Sequence, residues 1–446
     1  MPHHEKKYAL VLAGGGAKGA FQIGAWKALL EEGIEFNAVT GASVGALNAG
    51  LIATGSYAKA EKVWDTLSLD KVVTIPEQYT SDGNLNLDVK NIQSFTKYLI
   101  RNRGLDTFPL YRLIRENLKE HHIRKSGLDL GIISFNLTNF KPMEVFLDRI
   151  PEGQLAKYLL ASASFPLFKT VEISGKHFTD GGVYDNIPFS LAKSRGYKRL
   201  IVLDISGMGH NRRPNIVGTE TIYIKNSQNI GWELDFSKEK LALQKLLGYL
   251  DTRKVFERNT GYSYFILPDR KKETEIERRL ENESRQERVR MLFHDLEIKG
   301  ETAIERLRNA LPPKYRHTKS IGLSYLECAA KCLNIPAVKE YTVEEFVNTI
   351  VNKYTELKSM TIRPDHRDFG KFIKSLTKRF EKLTKDRDLF DLTPAEYSRL
   401  GNMVFGRDEH FFRLKAMRAF TPEITAAKIL ELQMVDEHRA KWQYSG

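Results

Sequence analysis

Two short segments near the N-terminus hold residue types suited to attack on a carbonyl. Gly41-Ala42-Ser43-Val44-Gly45 is a G-x-S-x-G sequence. At a strand-to-helix junction its flanking glycines relieve the crowding of a tight elbow and leave the Ser43 hydroxyl exposed above a sheet, the position of a nucleophile. Upstream, Gly14-Gly15-Gly16-Ala17-Lys18-Gly19 falls between an apolar run and a helical pattern. Glycines there let the chain turn sharply and present unpaired N–H groups at a helix N-terminus, which makes an anion site. Taken alone this turn is ambiguous. It fits G-x-G-x-x-G, but the acidic residue a dinucleotide site needs about 20 positions on is missing, since Glu35 precedes the second strand. A phosphate loop fails as well, because Lys18 is followed by Gly19 and Ala20 rather than by Ser or Thr.

A serine nucleophile needs a base and a set of oxyanion donors. The amides of Gly15 and Gly16, with Ala17, are the candidate donors within the turn Gly14 to Gly19. The candidate base is Asp180, followed by Gly181 and Gly182 just after a short apolar hairpin at residues 171–178. Asp185 and Asp204 are the fallback bases. His177 lies inside the expected hairpin strand and reads as structural, whereas His210, downstream of Asp180, keeps a Ser–Asp–His triad open. An ordinary α/β-hydrolase would place its serine after a fifth strand; here it follows the second.

With the glycine turn, the G-x-S-x-G elbow and Asp180-Gly181-Gly182 in that order, the chain resembles the patatin-like phospholipases. The run Ala161-Ser162-Ala163-Ser164-Phe165-Pro166-Leu167-Phe168 and the continuation Val183-Tyr184-Asp185-Asn186-Ile187-Pro188 strengthen the likeness, which covers about residues 6–230. The resemblance implies a three-layer α/β/α fold with a mainly parallel sheet, and hydrolysis of lipid acyl esters by a Ser43–Asp180 dyad without histidine or cofactor. It also implies a phospholipid or lysophospholipid substrate. Lys18 stands where the family carries Arg or Lys, available to orient the turn or to meet a phosphate.

The elements that must position these groups are legible. Residues 8–13, 38–41, 130–137, 143–147, 199–205 and 221–224 read as strands, most of them continuous Val/Ile/Leu runs of the kind buried on both faces of a parallel sheet. Residues 20–30 and 44–54 read as helices, the second built from small residues that allow close approach to the sheet. Alternation of this kind predicts an α/β layer architecture.

After about residue 230 glycine thins and helix formers dominate. We expect a catalytic domain over 6–230, extending to about 270 if the strand-like run 262–267 joins its sheet, and a mostly helical region over 271–446. Residues 273–311 alternate Glu and Arg, a pattern of i,i+4 pairs on a solvated face. Residues 369–387 place Phe369, Phe372, Ile373, Leu376, Phe380 and Leu383 on one helical face and lysines opposite, which suits packing on the rest of the protein or docking on an anionic membrane. The helical region is thus open to three roles: cap, membrane-docking element or homo-oligomer interface.

Composition bounds the rest. The 446 residues are 41% hydrophobic and 28% charged, which excludes collagen, low-complexity disorder and a wholly coiled-coil chain. The net charge of +13 is spread over both halves and favours anionic partners. No zinc-finger or RNA-binding signature accompanies it, so a lipid surface is expected rather than nucleic acid. No apolar run reaches the roughly 20 residues of a membrane span, and the N-terminus leads into glycines rather than a cleavage site. A cytoplasmic protein with peripheral membrane association is the expectation. Cys328 and Cys332, four apart in a helical stretch, suit neither a disulfide nor a metal site. Two competing readings are a sensor or scaffold with vestigial hydrolysis and a partner-binding C-terminus, and nucleotide binding at the glycine turn.

Overall fold

The computed structural model describes residues 8–81, 84–86, 91–212, 215–359, 423 and 426–430. The chain forms two compact units, Met1–Phe256 and Glu257–Gly446.

In the first unit the Val/Ile/Leu-rich runs become the strands of one sheet. They are β1 (Tyr8–Leu12), β2 (Phe36–Ala42), β3 (Asp129–Asn136), β4 (Lys141–Phe146), β5 (Val171–Ile173), β6 (Lys176–Asp180), β7 (Arg199–Asp204) and β8 (Glu220–Lys225). The order β8-β7-β1-β2-β3 is parallel throughout, and β4 lies antiparallel beside β3. Alternation of side chains across each strand sorts the core into two layers. Ala9, Val11, Ala38, Leu200 and Val202 cluster with Phe189 and Ala192 of helix α6, introduced below, while Leu10, Leu12, Ile201 and Leu203 are equally buried on the other face. The architecture is the expected α/β/α sandwich.

The helices that matter to the site are α1 (Ala20–Glu31), α2 (Val44–Ala53), α3 (Tyr57–Asp65), α4 (Phe108–Asn117), α5 (Leu155–Ser162), α6 (Phe189–Ser194) and α7 (Lys238–Val255). The first unit therefore runs past residue 230. Helix α7 packs along α1 with a glycine on each side of the crossing: a Cβ at Gly24 would be driven into the Lys245 carbonyl, and one at Gly248 into the Phe21 carbonyl. We expect Gly248→Ala to destabilise the protein by about 1–3 kcal/mol through overpacking, read as a lower denaturant midpoint with an unchanged slope.

The run 262–267 does not join this sheet. Its strand Phe265–Ile266 pairs in parallel with Glu340–Tyr341 inside the second unit. That unit buries Tyr264, Tyr315, Tyr325 and Phe346 among helices that include Arg270–Glu283, Ile321–Cys332 and Val343–Ser359. The expected i,i+4 pairs appear as Arg279–Glu275 and Arg285–Glu281. Cys328 and Cys332 are free, buried thiols on Ile321–Cys332. The amphipathic segment 369–387 lies outside the described residues. No described helix is long and apolar enough to cross a membrane.

Candidate active site

Neighbouring strands leave β1 in opposite directions along the sheet, β2 on one side and β7 on the other, and ligands of open α/β sheets settle at the carboxyl ends of strands around such a point. Both N-terminal motifs sit there. Ser43 joins β2 to α2 with φ 53 and ψ −129, a conformation that side chains with a Cβ rarely adopt and that persists only when the surroundings enforce it. The enforcement is visible. A Cβ at Gly45 would meet the Leu12 carbonyl, and one at Gly41 would meet the backbone of Gly45, so only glycines let the elbow close against β1. The Ser43 amide donates to Ser162 Oγ at 3.0 Å, and that hydroxyl donates to the Ile133 carbonyl at 2.6 Å. Ser162, buried on α5, pins the elbow from below.

Strand register brings the aspartate to the same place. Along one edge of β3, β2 pairs as far as Ala42 opposite Ile133. On that same edge β6 arrives from the other end and stops with Asp180 opposite Ser134, because β4 occupies the far edge of β3 over residues 131–136. The two strands thus meet end to end, and the residues at their meeting point are Ser43 and Asp180. Asp180 is 4% exposed. Its Oδ1 accepts the Gly182 amide at 2.8 Å, while Oδ2 is buried with no hydrogen-bond donor. Burial pushes the carboxyl up to about 6, with the nearby Ser43 hydroxyl and the Gly182 amide opposing the shift.

Only part of the glycine turn is free to receive an oxyanion. The Gly14 amide donates to the Asn186 carbonyl at 3.0 Å, Ala17 to the Glu233 carbonyl at 2.7 Å and Lys18 to the Gly15 carbonyl at 3.2 Å. Ala17 is therefore not a donor, contrary to the sequence reading, and Gly14 and Lys18 are likewise committed. Gly19 packs against Val44 and Trp64. Among the described residues the amides of Gly15 and Gly16 have no protein acceptor. Lys18 is 9% exposed and its ammonium donates to Glu233 Oε1 and to the Ser206 carbonyl, each at 2.9 Å, so of its two sequence-level roles the geometry favours orienting the turn.

Of the other candidates, Asp185 accepts the Ile187 amide at 3.3 Å and is pushed by burial to about 6, yet it lines neither cavity beside Ser43. Asp204 is held by Tyr223 and the Ser206 amide. His177 is exposed, with Thr170 beside its ring. His210 is brought to the cavity that holds Ser43 and Asp180, but through its backbone, which bonds to Gly182 and Asn186; its imidazole bonds to neither catalytic candidate. No group of three or more His, Cys, Asp or Glu among the described residues converges to hold a metal ion.

Ser43 stands where two cavities meet. One is lined by Gly15, Asp180, Asn186, Met208 and His210. The other is apolar, walled by Leu47, Trp64, Leu110, Ile114, Phe165 and Phe236 among others. Gly16, Ser43, Phe165 and Glu233 border both. Sequence reasoning missed Glu233, which has no local signal, and assigned no role to Asn186, although its place six residues after Asp180 was a usable clue. A serine at a strained elbow, an unpaired buried carboxylate and two free amides around one point are the parts of an acyl-transfer site.

In sequence the chain is similar to known lipid hydrolases. The family described as patatin-like phospholipase matches residues 10–193. A probable lipid hydrolase of invertebrate iridescent virus 6 is 24% identical over 242 residues, covering 52% of this chain and 77% of the viral protein. Patatin-like phospholipase domain-containing protein 7 of Rattus norvegicus is 30% identical over 202 residues, covering 44% of this chain and 13% of its own length. A lysophospholipase of Mycosarcoma maydis is 26% identical over 221 residues, covering 46% and 11% respectively. The likeness to the two long proteins is thus confined to a small part of each. The matched residues hold the elbow, the glycine turn and Asp180, so residues 10–193 of this chain carry a patatin-like phospholipase domain.

Proposed function

We propose that the chain is a serine acyl hydrolase that releases fatty acid from phospholipids or lysophospholipids. Asp180 Oδ2 accepts the proton of Ser43 as Oγ attacks the acyl carbonyl, and the amides of Gly15 and Gly16 hold the oxyanion. The proton passes from Asp180 to the departing alcohol oxygen. Water, deprotonated by the same carboxylate, then attacks acyl-Ser43, and Asp180 returns that proton to Ser43 Oγ as the fatty acid departs. A carboxyl near 6 is a better base at neutral pH than an ordinary aspartate, and it is still ionised there. The apolar cavity suits the acyl chain and the cavity around His210 suits the leaving alcohol. The net charge of +13 supports approach to an anionic membrane surface.

The observation that carries this reading is the unpartnered, buried Asp180 Oδ2 beside the strained Ser43 elbow. The test is mass spectrometry of products from vesicles containing both diacyl and lysophospholipids, together with labelling by a fluorophosphonate. Fatty-acid release and a phosphonate adduct on Ser43 are expected. A protein that releases none and leaves Ser43 unlabelled would remove the proposal.

A further inference from the structure

We propose that Glu233 is a positioning residue that, through Lys18, holds the glycine turn with its Gly15 and Gly16 amides directed at Ser43; this rests on the hydrolase reading above. Three consecutive glycines form the most conformationally free backbone available, and oxyanion donors are effective only when their orientation is set before the charge develops. The turn therefore needs outside anchors, and the structure supplies them at both of its ends.

At the start, the Gly14 amide donates to the Asn186 carbonyl at 3.0 Å, and Asn186 Nδ2 returns a bond to the Gly14 carbonyl at 3.3 Å. At the far end, Glu233 bonds twice. Its carbonyl accepts the Ala17 amide at 2.7 Å and its Oε1 accepts Lys18 Nζ at 2.9 Å. The same Oε1 accepts the Met208 amide at 2.9 Å, so one carboxylate ties the glycine turn to the loop that follows β7. Gly16 has φ 56, and a Cβ there would run into the Glu233 carbonyl, so the two backbones are in contact. Between the anchors lie the only two amides of the turn's first five residues that lack a protein acceptor among the described residues, those of Gly15 and Gly16.

The ion pair is buried, with side-chain exposures of 11% for Lys18 and 4% for Glu233. A charge pair withdrawn from water is rigid while both partners are present, and removing one leaves an uncompensated buried charge. Two of the ammonium protons of Lys18 are spent on Glu233 and Ser206. Lys18 therefore acts through the turn and not on a substrate phosphate.

The test compares wild type with Glu233→Gln and with the double variant Lys18→Met/Glu233→Gln. The double variant removes both charges, so no unpaired ion is left to unfold it. Each is assayed with a neutral p-nitrophenyl acyl ester, which has no phosphate, with phospholipid vesicles, and by hydrogen exchange of the peptide spanning residues 13–20. We expect kcat to fall roughly 10²-fold, as for a small misplacement of a catalytic group, with KM nearly unchanged. Exchange in 13–20 should rise in both variants while the rest of the unit exchanges as before. Unchanged exchange of that peptide in the folded double variant overturns the latch. So does a defect confined to KM for phospholipids, which would make Lys18 a phosphate contact. Should Ser43→Ala hydrolyse the ester at the wild-type rate, the hydrolase reading fails, and the exchange measurement still decides whether Glu233 holds the turn.

Discussion

Ser43→Ala is expected to lower acyl-ester hydrolysis by roughly 10⁴-fold or more, leaving the residual rate that oxyanion donors and substrate binding supply without a nucleophile. The loss should fall in kcat, since the acyl cavity is untouched. The same position makes a stability prediction that a mere surface serine would not. With φ 53 and ψ −129 the backbone is strained for any residue bearing a Cβ, and alanine inherits that strain. Glycine does not, so Ser43→Gly should be more stable than Ser43→Ala by about 1 kcal/mol, as measured by chemical denaturation. Catalysis at the level of wild type in Ser43→Ala would leave the elbow without its chemistry. Equal stability of the two variants would mean that the elbow is relaxed.

Asp180→Asn is expected to act in opposite directions on activity and stability. Loss of the general base should reduce hydrolysis by roughly 10²–10⁴-fold. The folded carboxyl sits at about 6 because it is buried, against an ordinary 3.8. Its charged form is thus disfavoured by folding. The linkage follows: the stability associated with this group is complete below its unfolded value, and it declines as pH rises toward 6, because in that window the unfolded chain has lost a proton that the folded chain retains. That rise corresponds to something on the order of 2–3 kcal/mol, which Asn, having no charge to bury, recovers at neutral pH. The variant should therefore melt higher than wild type at pH 7 and match it near pH 4. In wild type, kcat/KM should rise with pH through an acid limb near 6 that Asp180→Asn lacks. Asp185, also near 6, is the control: Asp185→Asn should leave that limb in place, and its disappearance there would transfer the base role away from Asp180.

How much of this was legible beforehand follows from how local each feature is. The strands β1, β3 and β7 announce themselves because a strand buried on both faces is apolar at nearly every position, whereas β4 and β8, largely exposed, show only short apolar stretches. The elbow is legible because a tight strand-to-helix turn can be closed only by glycines around the serine. Within Gly14 to Gly19, however, nothing local distinguishes an amide that is free from one already engaged. Ala17 looked like a donor until the Glu233 carbonyl, from a segment more than two hundred residues later, was found on it. Lys18 presented the same problem: a lysine after a glycine run suits a phosphate equally well, and only the structure shows its ammonium bonded to Glu233 and Ser206. How far the first unit extends past residue 230 was left open for a related reason. Helix α7 carries no motif, and its membership depends on Gly24 and Gly248 meeting across a helix crossing that no single segment encodes.

The residue order alone, then, determined the α/β layering and the two backbone turns that expose a hydroxyl and a row of amides, since those depend on side-chain size and periodicity over a few residues. The tertiary structure decided which carboxylate the hydroxyl meets, because β2 and β6 share one edge of β3 and stop against each other there. It also decided which amides stay free, because hydrogen-bond partners are claimed in space by whichever segment arrives, and that depends on the packing of the whole sheet rather than on any neighbour in the chain.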